Sequence, residues 1–133
     1  MPNKSTVLIV DDEEGPRASL KMALMPFYQI EEATDGFQAL DIVRRRKIDL
    51  VTLDLRMPQM DGTAVMMAIK IQDPHIEVLI ITGYGTIPKA MELVLMGACG
   101  FLMKPFQIPR LLDDVARAIE KKKKSDRLNL QSH

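Results

Sequence analysis

The sequence lacks the features that mark several protein classes. It has no tryptophan and a single cysteine, Cys99, so no disulfide can form within the chain. No apolar run approaches the roughly 20 residues of a membrane-spanning helix, and the first residues contain no apolar stretch of the signal-peptide kind. We therefore predict a protein of the reducing cytoplasm that makes no membrane contact. Its 133 residues suffice to bury the core of one domain.

Charge is balanced over the whole chain but not along it. Residues 121–133 hold a net charge of +4, because a run of four lysines begins at Lys121, and residues 1–120 therefore hold −4. An acidic body argues against direct binding of nucleic acid, since phosphate contacts need a basic face. The lysine run could contact nucleic acid or anionic lipid, but a solvated helix end or linker is the simpler interpretation. We expect one domain over residues 1–120 and a basic tail, or the start of a linker, over 121–133.

Short runs of strand-forming residues alternate with segments of helical periodicity. Five strands are predicted, near Thr6–Val10, Gln29–Ala33, Leu50–Leu53, Val78–Thr82 and Cys99–Met103. Four of these runs are apolar enough to be buried on both faces, whereas the second contains Glu31 and Glu32 and is predicted to be an edge strand. The alternation is typical of an α/β fold with a parallel sheet and crossover helices.

Polar residues stand where four of the predicted strands end. They are Asp11, Asp12, Glu13 and Glu14 after the first strand, Asp54 after the third, Thr82 at the end of the fourth and Lys104 after the fifth. In an open parallel sheet these ends lie at one edge, where ligands bind. Carboxylates that converge there must hold a proton or bind a cation. Oxygen ligands favour a hard cation, Mg²⁺ or Mn²⁺.

Four segments carry these residues: VLIVDDEE, LVTLDLRMPQMDG, VLIITGYG and GACGFLMKPF. Together they resemble the receiver domain of bacterial two-component response regulators, over about residues 5–120. The resemblance implies a doubly wound, flavodoxin-like sheet of five parallel strands in the order 2-1-3-4-5, with helices on both faces. It also implies the function of that family, which is a phosphorylatable signalling switch.

The resemblance implies a role for each polar residue at the strand ends. Asp54 would accept the phosphoryl group, and Lys104 would pair with a phosphoryl oxygen. Asp12 and Asp54 would bind Mg²⁺, or Mn²⁺, through their side chains, whereas Asp11 would act mainly through metal-bound water. The backbone carbonyl of Arg56 would complete the protein ligands.

A second set of implied roles concerns the transmission of the signal. Thr82 would be the switch hydroxyl and Phe101 the switch aromatic, and the peptide bond between Lys104 and Pro105 is expected to be cis. The surface of helix four, strand five and helix five would respond. Exposed residues there, such as Met91, Leu95 and Arg110, could serve a homodimer or an output domain.

Partners and output follow from the resemblance only in outline. A histidine kinase or a phosphotransfer protein would supply the phosphoryl group. The domain would catalyse only its own Mg²⁺-dependent phosphorylation and dephosphorylation, and it is not expected to be an enzyme beyond that. The segment ITGYGTIPKAMELVLMGACGFLMKPF is most similar to receivers attached to transcriptional activators, which hints at the output without establishing it.

Two alternative functions remain open at this point. A phosphohydrolase of the haloacid dehalogenase type also uses a strand-end aspartate with Mg²⁺, but it needs an acidic residue where Arg56 stands. A binding module of the same fold could work without phosphorylation, although the full set of aspartate, threonine and lysine argues against it. A phosphorylation assay with a small phosphodonor distinguishes this module from a switch.

Overall fold

The fold is known from a computed structural model that describes residues 4–57, 59–83 and 86–131. Strands and helices alternate along these residues. The strands are β1 (Thr6–Val10), β2 (Gln29–Ala33), β3 (Leu50–Leu53), β4 (Glu77–Thr82) and β5 (Gly100–Met103). The helices are α1 (Glu14–Leu24), α2 (Gly36–Arg45), α3 (Gly62–Gln72), α4 (Ile87–Leu95) and α5 (Ile108–Gln131).

The strands form one parallel sheet in the order β2-β1-β3-β4-β5. This is the predicted flavodoxin-like order, and it is confirmed. Successive side chains of β1 serve opposite faces: Leu8 and Val10 belong to the core under α2, α3 and α4, whereas Val7 and Ile9 belong to the core under α1 and α5. Helices therefore cover both faces, as the nearly uninterrupted apolar runs of β1, β3 and β4 require.

The two edge strands differ in how well the sequence predicted them. β2 is an edge strand, as its glutamates indicated. β5 forms the other edge, as the predicted strand order implies, but it was expected to be buried on both faces, whereas Met103 is exposed and Gly100 and Phe101 are half-buried. Its small and apolar residues match a buried run in composition, and only its place in the sheet leaves one side open.

Turn and cap residues set the ends of the helices. Asp35 and Asp61 cap α2 and α3, and their carboxylates accept hydrogen bonds from the backbone N–H of Gln38 and Thr63 at 2.8 and 2.9 Å. Gly97 follows α4 with a φ of +114°, a left-handed conformation that glycine adopts at little cost. These residues fix where α2 and α3 begin and where α4 ends.

The basic C-terminal segment continues α5 as far as Gln131. Lys122 is buried, and its Nζ lies 2.6 Å from Oδ1 of Asp126 and 3.7 Å from Oδ1 of Asp49. Residue 120, the predicted domain boundary, therefore lies inside a continuous helix. In the part of the chain that the structure describes, no helix is long and apolar enough to cross a membrane.

Candidate functional site

The sheet register brings the polar strand ends to one edge. The ladder continues one residue beyond each strand: the backbone N–H of Asp54 donates to the carbonyl of Val10, and the N–H of Lys104 donates to the carbonyl of Thr82. The same edge holds Asp11, whose N–H donates to a carbonyl of β2. Side chains that are far apart in sequence therefore face one another, as the sequence predicted for parallel strands.

The carboxylate of Asp54 is buried, and both of its oxygens accept hydrogen bonds. Its side chain is 5 % exposed. Oδ1 accepts hydrogen bonds from the Thr82 hydroxyl at 2.7 Å and from the N–H of Arg56 at 3.0 Å, and Oδ2 accepts one from Nζ of Lys104 at 2.9 Å. A buried carboxylate is costly unless such partners compensate for the lost water. These bonds explain how a charge can directly follow the apolar strand β3.

Lys104 joins two carboxylates. Its Nζ also donates to Oδ2 of Asp11 at 2.7 Å, so one ammonium bridges Asp11 and Asp54. Burial alone lowers the pKa of Lys104, but the hydrogen bonds and charges of the two aspartates outweigh burial and raise that pKa above its usual value. Lys104 is therefore a permanent positive charge at neutral pH.

Three carboxylates form an acidic cluster beside this lysine. One oxygen from each of Asp11, Glu13 and Asp54 lies within 4.8 Å of the others. With Lys104 present, the cluster keeps a net formal charge of −2. Hard oxygen donors and this excess of negative charge fit a divalent cation such as Mg²⁺ or Mn²⁺ better than a soft metal.

The sequence prediction named Asp12 as a side-chain ligand and did not include Glu13. In the structure Asp12 is exposed and does not belong to the acidic cluster, whereas Glu13 does. The N–H of Glu13 donates to Oδ1 of Asp11 at 3.0 Å, which closes a tight turn. Glu13 is the N-cap residue of α1, yet its side chain makes no capping bond. The i, i+2 spacing of Asp11 and Glu13 is typical of such a turn, and this spacing could have identified Glu13 as a member of the acidic cluster.

The two predicted switch residues lie on neighbouring strands. Thr82 ends β4 and is fully buried. Phe101 is half-buried on β5, is paired in register with Ile80, and packs against the core under α2, α3 and α4. The peptide bond between Lys104 and Pro105 is cis, as expected. The prediction of a switch role for Thr82 and Phe101 is compatible with these positions.

An apolar strip runs along the outer face of α4. Ala90, Met91, Val94 and Leu95 line a shallow cleft of about 290 Å³ with no polar lining. Met91 is 61 % exposed and Leu95 87 % exposed, and Arg110 is exposed on α5. The predicted exposure of these three residues is confirmed.

The chain's cysteine is unsuited to nucleophilic chemistry. Burial, and to a lesser degree the charge of Glu77, raise the pKa of the Cys99 thiol to about 11. Cys99 precedes β5 at the opposite end from Lys104. The thiol therefore lies away from the acidic edge.

Comparison with known proteins matches this geometry to one family. Residues 7–116 match the family described as response regulator receiver domain. The chain is 39 % identical over 112 residues to sporulation initiation phosphotransferase F of Bacillus subtilis (strain 168), an alignment that covers 84 % of this chain and 90 % of that protein. It is 38 % identical over 114 residues to transcriptional regulatory protein ZraR of Escherichia coli O157:H7, covering 85 % of this chain but 26 % of ZraR.

A solved structure shows the same likeness in three dimensions. The CheX–CheY–BeF₃–Mg²⁺ complex of Borrelia burgdorferi contains a chain with a TM-score of 0.82 and 30 % identity, covering 85 % of this chain and 87 % of that one. This chain spans about a quarter of several relatives, ZraR among them, and 90 % of sporulation initiation phosphotransferase F. The match over residues 7–116 favours the receiver domain over the phosphohydrolase alternative. The chain belongs to the response regulator receiver domain family and is a phosphorylatable switch of two-component signalling.

Proposed function

We propose that Asp54 is the residue that becomes phosphorylated, with a histidine kinase or a phosphotransfer protein as the donor. One observation carries the proposal: the Thr82 hydroxyl, the Lys104 ammonium and the acidic cluster all converge on this one carboxylate. Asp11 and Glu13 share the cluster but lack the contact with Thr82. Of these three acids, Asp54 is therefore the one that contacts both the Lys104 ammonium and the hydroxyl of Thr82, the predicted switch residue.

The transfer step needs positioning more than elaborate chemistry. An oxygen of Asp54 attacks phosphorus, the P–N bond of the donor phosphohistidine breaks, and its electron pair returns to the imidazole nitrogen. The Lys104 ammonium remains beside the carboxylate and neutralises negative charge on the transferred group. The same residues would support hydrolysis of the aspartyl phosphate by water, so the domain would catalyse its own phosphorylation and dephosphorylation.

The acidic cluster is proposed to hold Mg²⁺ or Mn²⁺. Asp11, Glu13 and Asp54 supply the oxygens that lie together. Asp12 and the backbone carbonyl of Arg56 are further proposed ligands, from the family resemblance. A divalent ion bound there would neutralise charge on the phosphoryl oxygens. The solved complex of the similar Borrelia burgdorferi protein contains Mg²⁺ and a beryllofluoride group, which supports the assignment.

Thr82 and Phe101 are proposed to carry the signal from Asp54 to the α4–β5–α5 surface. Phosphate adds charge and acceptor oxygens at Asp54, and the Thr82 hydroxyl already bonds to that carboxylate. A shift of Thr82 toward the phosphoryl group would leave room for Phe101 to turn inward. The relative population of two existing conformations would then change. A few kcal/mol of difference in their contact with the phosphoryl group is enough to drive that change.

The responding surface is proposed to bind a second copy of this chain or an output domain. The apolar strip on α4 supports this, because Met91 and Leu95 are exposed there. ZraR and other relatives are about four times as long as the matched region, so they contain further domains. We propose a cytoplasmic location and no direct nucleic-acid contact by this domain.

The test is phosphorylation by phosphoramidate in the presence of Mg²⁺, followed by intact mass measurement. The wild type should gain the mass of one phosphoryl group. Asp54→Asn should gain none, because the amide keeps the shape of the side chain and removes the nucleophile. Asp41→Asn changes an exposed acid on α2 and serves as the matched control, which should be phosphorylated like the wild type. Continued phosphorylation of Asp54→Asn would refute the assignment.

A further inference from the structure

Arg17 contacts the backbone of the acidic loop, residues 11–13, which joins β1 to α1. It lies in the second turn of α1, and its side chain is 16 % exposed. NH1 donates a hydrogen bond to the backbone carbonyl of Asp11 at 2.9 Å, and Nε donates to Oε1 of Glu32 at 3.3 Å. One guanidinium thus links the acidic loop to the edge strand β2.

The contact fixes the backbone of Asp11 rather than its carboxylate. The carbonyl that Arg17 holds belongs to the peptide joining Asp11 to Asp12, the first peptide of the acidic loop. Its orientation sets the direction in which the chain leaves β1 and turns back to place Glu13 beside Asp11. A rotation of this peptide would move two of the three carboxylates of the acidic cluster.

We propose that Arg17 is a positioning residue for the divalent-cation site of this receiver, an inference that rests on the proposed function. It sets the affinity of the acidic cluster by holding the Asp11 carbonyl, and Glu32 holds Arg17 in turn. The role suits arginine, because its planar guanidinium can donate to two acceptors in fixed directions at once. Lysine has one nitrogen and cannot reproduce that fork.

The charge of Arg17 and its positioning contact predict opposite effects on Mg²⁺ affinity, so an experiment can separate them. Arg17 is a cation near a cation site, so removing its charge should tighten Mg²⁺ binding if electrostatics were its only influence. Removing a positioning contact should weaken binding. Lys21 offers a matched control: it lies one turn further along α1, and its Nζ bonds to the same Glu32 at 3.1 Å rather than to Asp11.

The experiment measures Mg²⁺ affinity by calorimetry, and the phosphorylation rate with phosphoramidate as Mg²⁺ is varied, in wild type, Arg17→Ala, Arg17→Lys and Lys21→Ala. Arg17→Ala should raise the Kd for Mg²⁺ about tenfold, the lower end of what losing a partner of a metal ligand costs. At saturating Mg²⁺ its rate should return to within about twofold of wild type, because the nucleophile and Lys104 are untouched. Lys21→Ala should bind Mg²⁺ as the wild type does, or slightly more tightly.

Arg17→Lys keeps the positive charge but loses the two directed hydrogen bonds of the guanidinium, so it should also weaken Mg²⁺ binding. If Arg17→Ala does not fold, Arg17→Lys tests the positioning role by itself. Unchanged or tighter binding in the folded Arg17 variants would overturn the inference, and so would an equal loss in Lys21→Ala. If the wild type itself binds no divalent ion, the proposed cation site fails. If the wild type binds and the Arg17 variants match it, only the role of Arg17 fails.

Discussion

The hydroxyl of Thr82 lies 2.7 Å from Oδ1 of Asp54, although 28 positions separate the two residues in the sequence. The pairing of β3 with β4 brings them together, since Leu53 lies opposite Ile80 in the register. Both side chains are buried, so the hydrogen bond is shielded from water. A change of charge at Asp54 therefore acts directly on Thr82, which ends β4 and precedes α4.

Replacing Lys104 by methionine should destabilise the fold and leave two carboxylates facing each other. We expect the free energy of unfolding to fall by about 2 kcal/mol at neutral pH, below the 3–5 kcal/mol of a fully buried pair, because the Lys104 side chain is 20 % exposed. Urea unfolding at low salt measures the difference. Adding Mg²⁺ should restore part of the loss, since a cation in the acidic cluster would replace the missing charge.

The ion pairs of Lys104 with Asp11 and Asp54 also predict how the free energy of unfolding depends on pH. The pKa of Lys104 is raised in the folded protein, so its stabilisation is fully present below the ordinary lysine pKa, about 10.4, and is lost as the pH rises through the higher folded value. The stability difference between wild type and Lys104→Met should thus stay constant from about pH 7 to about pH 10 and shrink above that. A difference that disappears between pH 7 and 9 would contradict the ion pair.

Lys122 should stabilise the molecule although it lies in a run of lysines. Its buried ammonium pairs with Asp126 and Asp49, and Lys122→Ala would leave both acids without it. We expect a loss of about 2 kcal/mol, less than for a fully buried pair because Asp126 is 32 % exposed. The exposed neighbour Lys123 is the control, and Lys123→Ala should stay within about 0.5 kcal/mol in thermal unfolding. Equal effects would show that residues after 120 are not part of the domain.

Gly62 should tolerate no side chain, because α3 begins close to the loop that follows Asp54. A Cβ on Gly62 would lie 2.6 Å from the Cα of Leu55 and 2.9 Å from the carbonyl oxygen of Asp54. Gly62→Ala is therefore expected to cost about 2 kcal/mol and to slow phosphorylation by displacing the Asp54 backbone. Gly15 in α1 has no atom within 4 Å of such a Cβ, and Gly15→Ala should be neutral or stabilising by up to about 1 kcal/mol. Similar stabilities for the two variants would refute the close approach.

The sequence predicted most of the fold because each signal was local. The strands β1, β2 and β3 have the predicted bounds. β4 starts one residue earlier than predicted, since Glu77 pairs with Leu50 and is buried despite its charge. Buried acids at strand starts depend on distant partners, here Lys121 in the middle of α5, and no local pattern shows such partners.

Two features that the sequence predictions did not include, the buried Lys122 and the place of Glu13 in the acidic cluster, had signals in the sequence. Lys122 falls at helical spacing from Val115, Ala118 and Ile119, all buried, so periodicity placed it on the inner face of α5. Its charge, and those of its neighbours, favoured a solvated tail. Glu13 stands two positions after Asp11, and only the turn between them brings its carboxylate back to the cluster. Composition could identify an acidic loop, but the backbone turn from Asp11 to Glu13 determines which carboxylates lie close together.

The most direct test of the account is amide NMR with and without a beryllofluoride mimic of the phosphoryl group. We predict chemical-shift changes that extend from Asp54 through Thr82 to residues of about 86–115, which comprise α4, β5 and the start of α5. In Thr82→Ala the changes over that surface should shrink while those beside Asp54 persist, and Thr82→Ser, which keeps the hydroxyl, should behave like the wild type. Changes confined to the loops of Asp11, Asp54 and Lys104 would contradict the switch, even if Asp54 accepts the phosphoryl group.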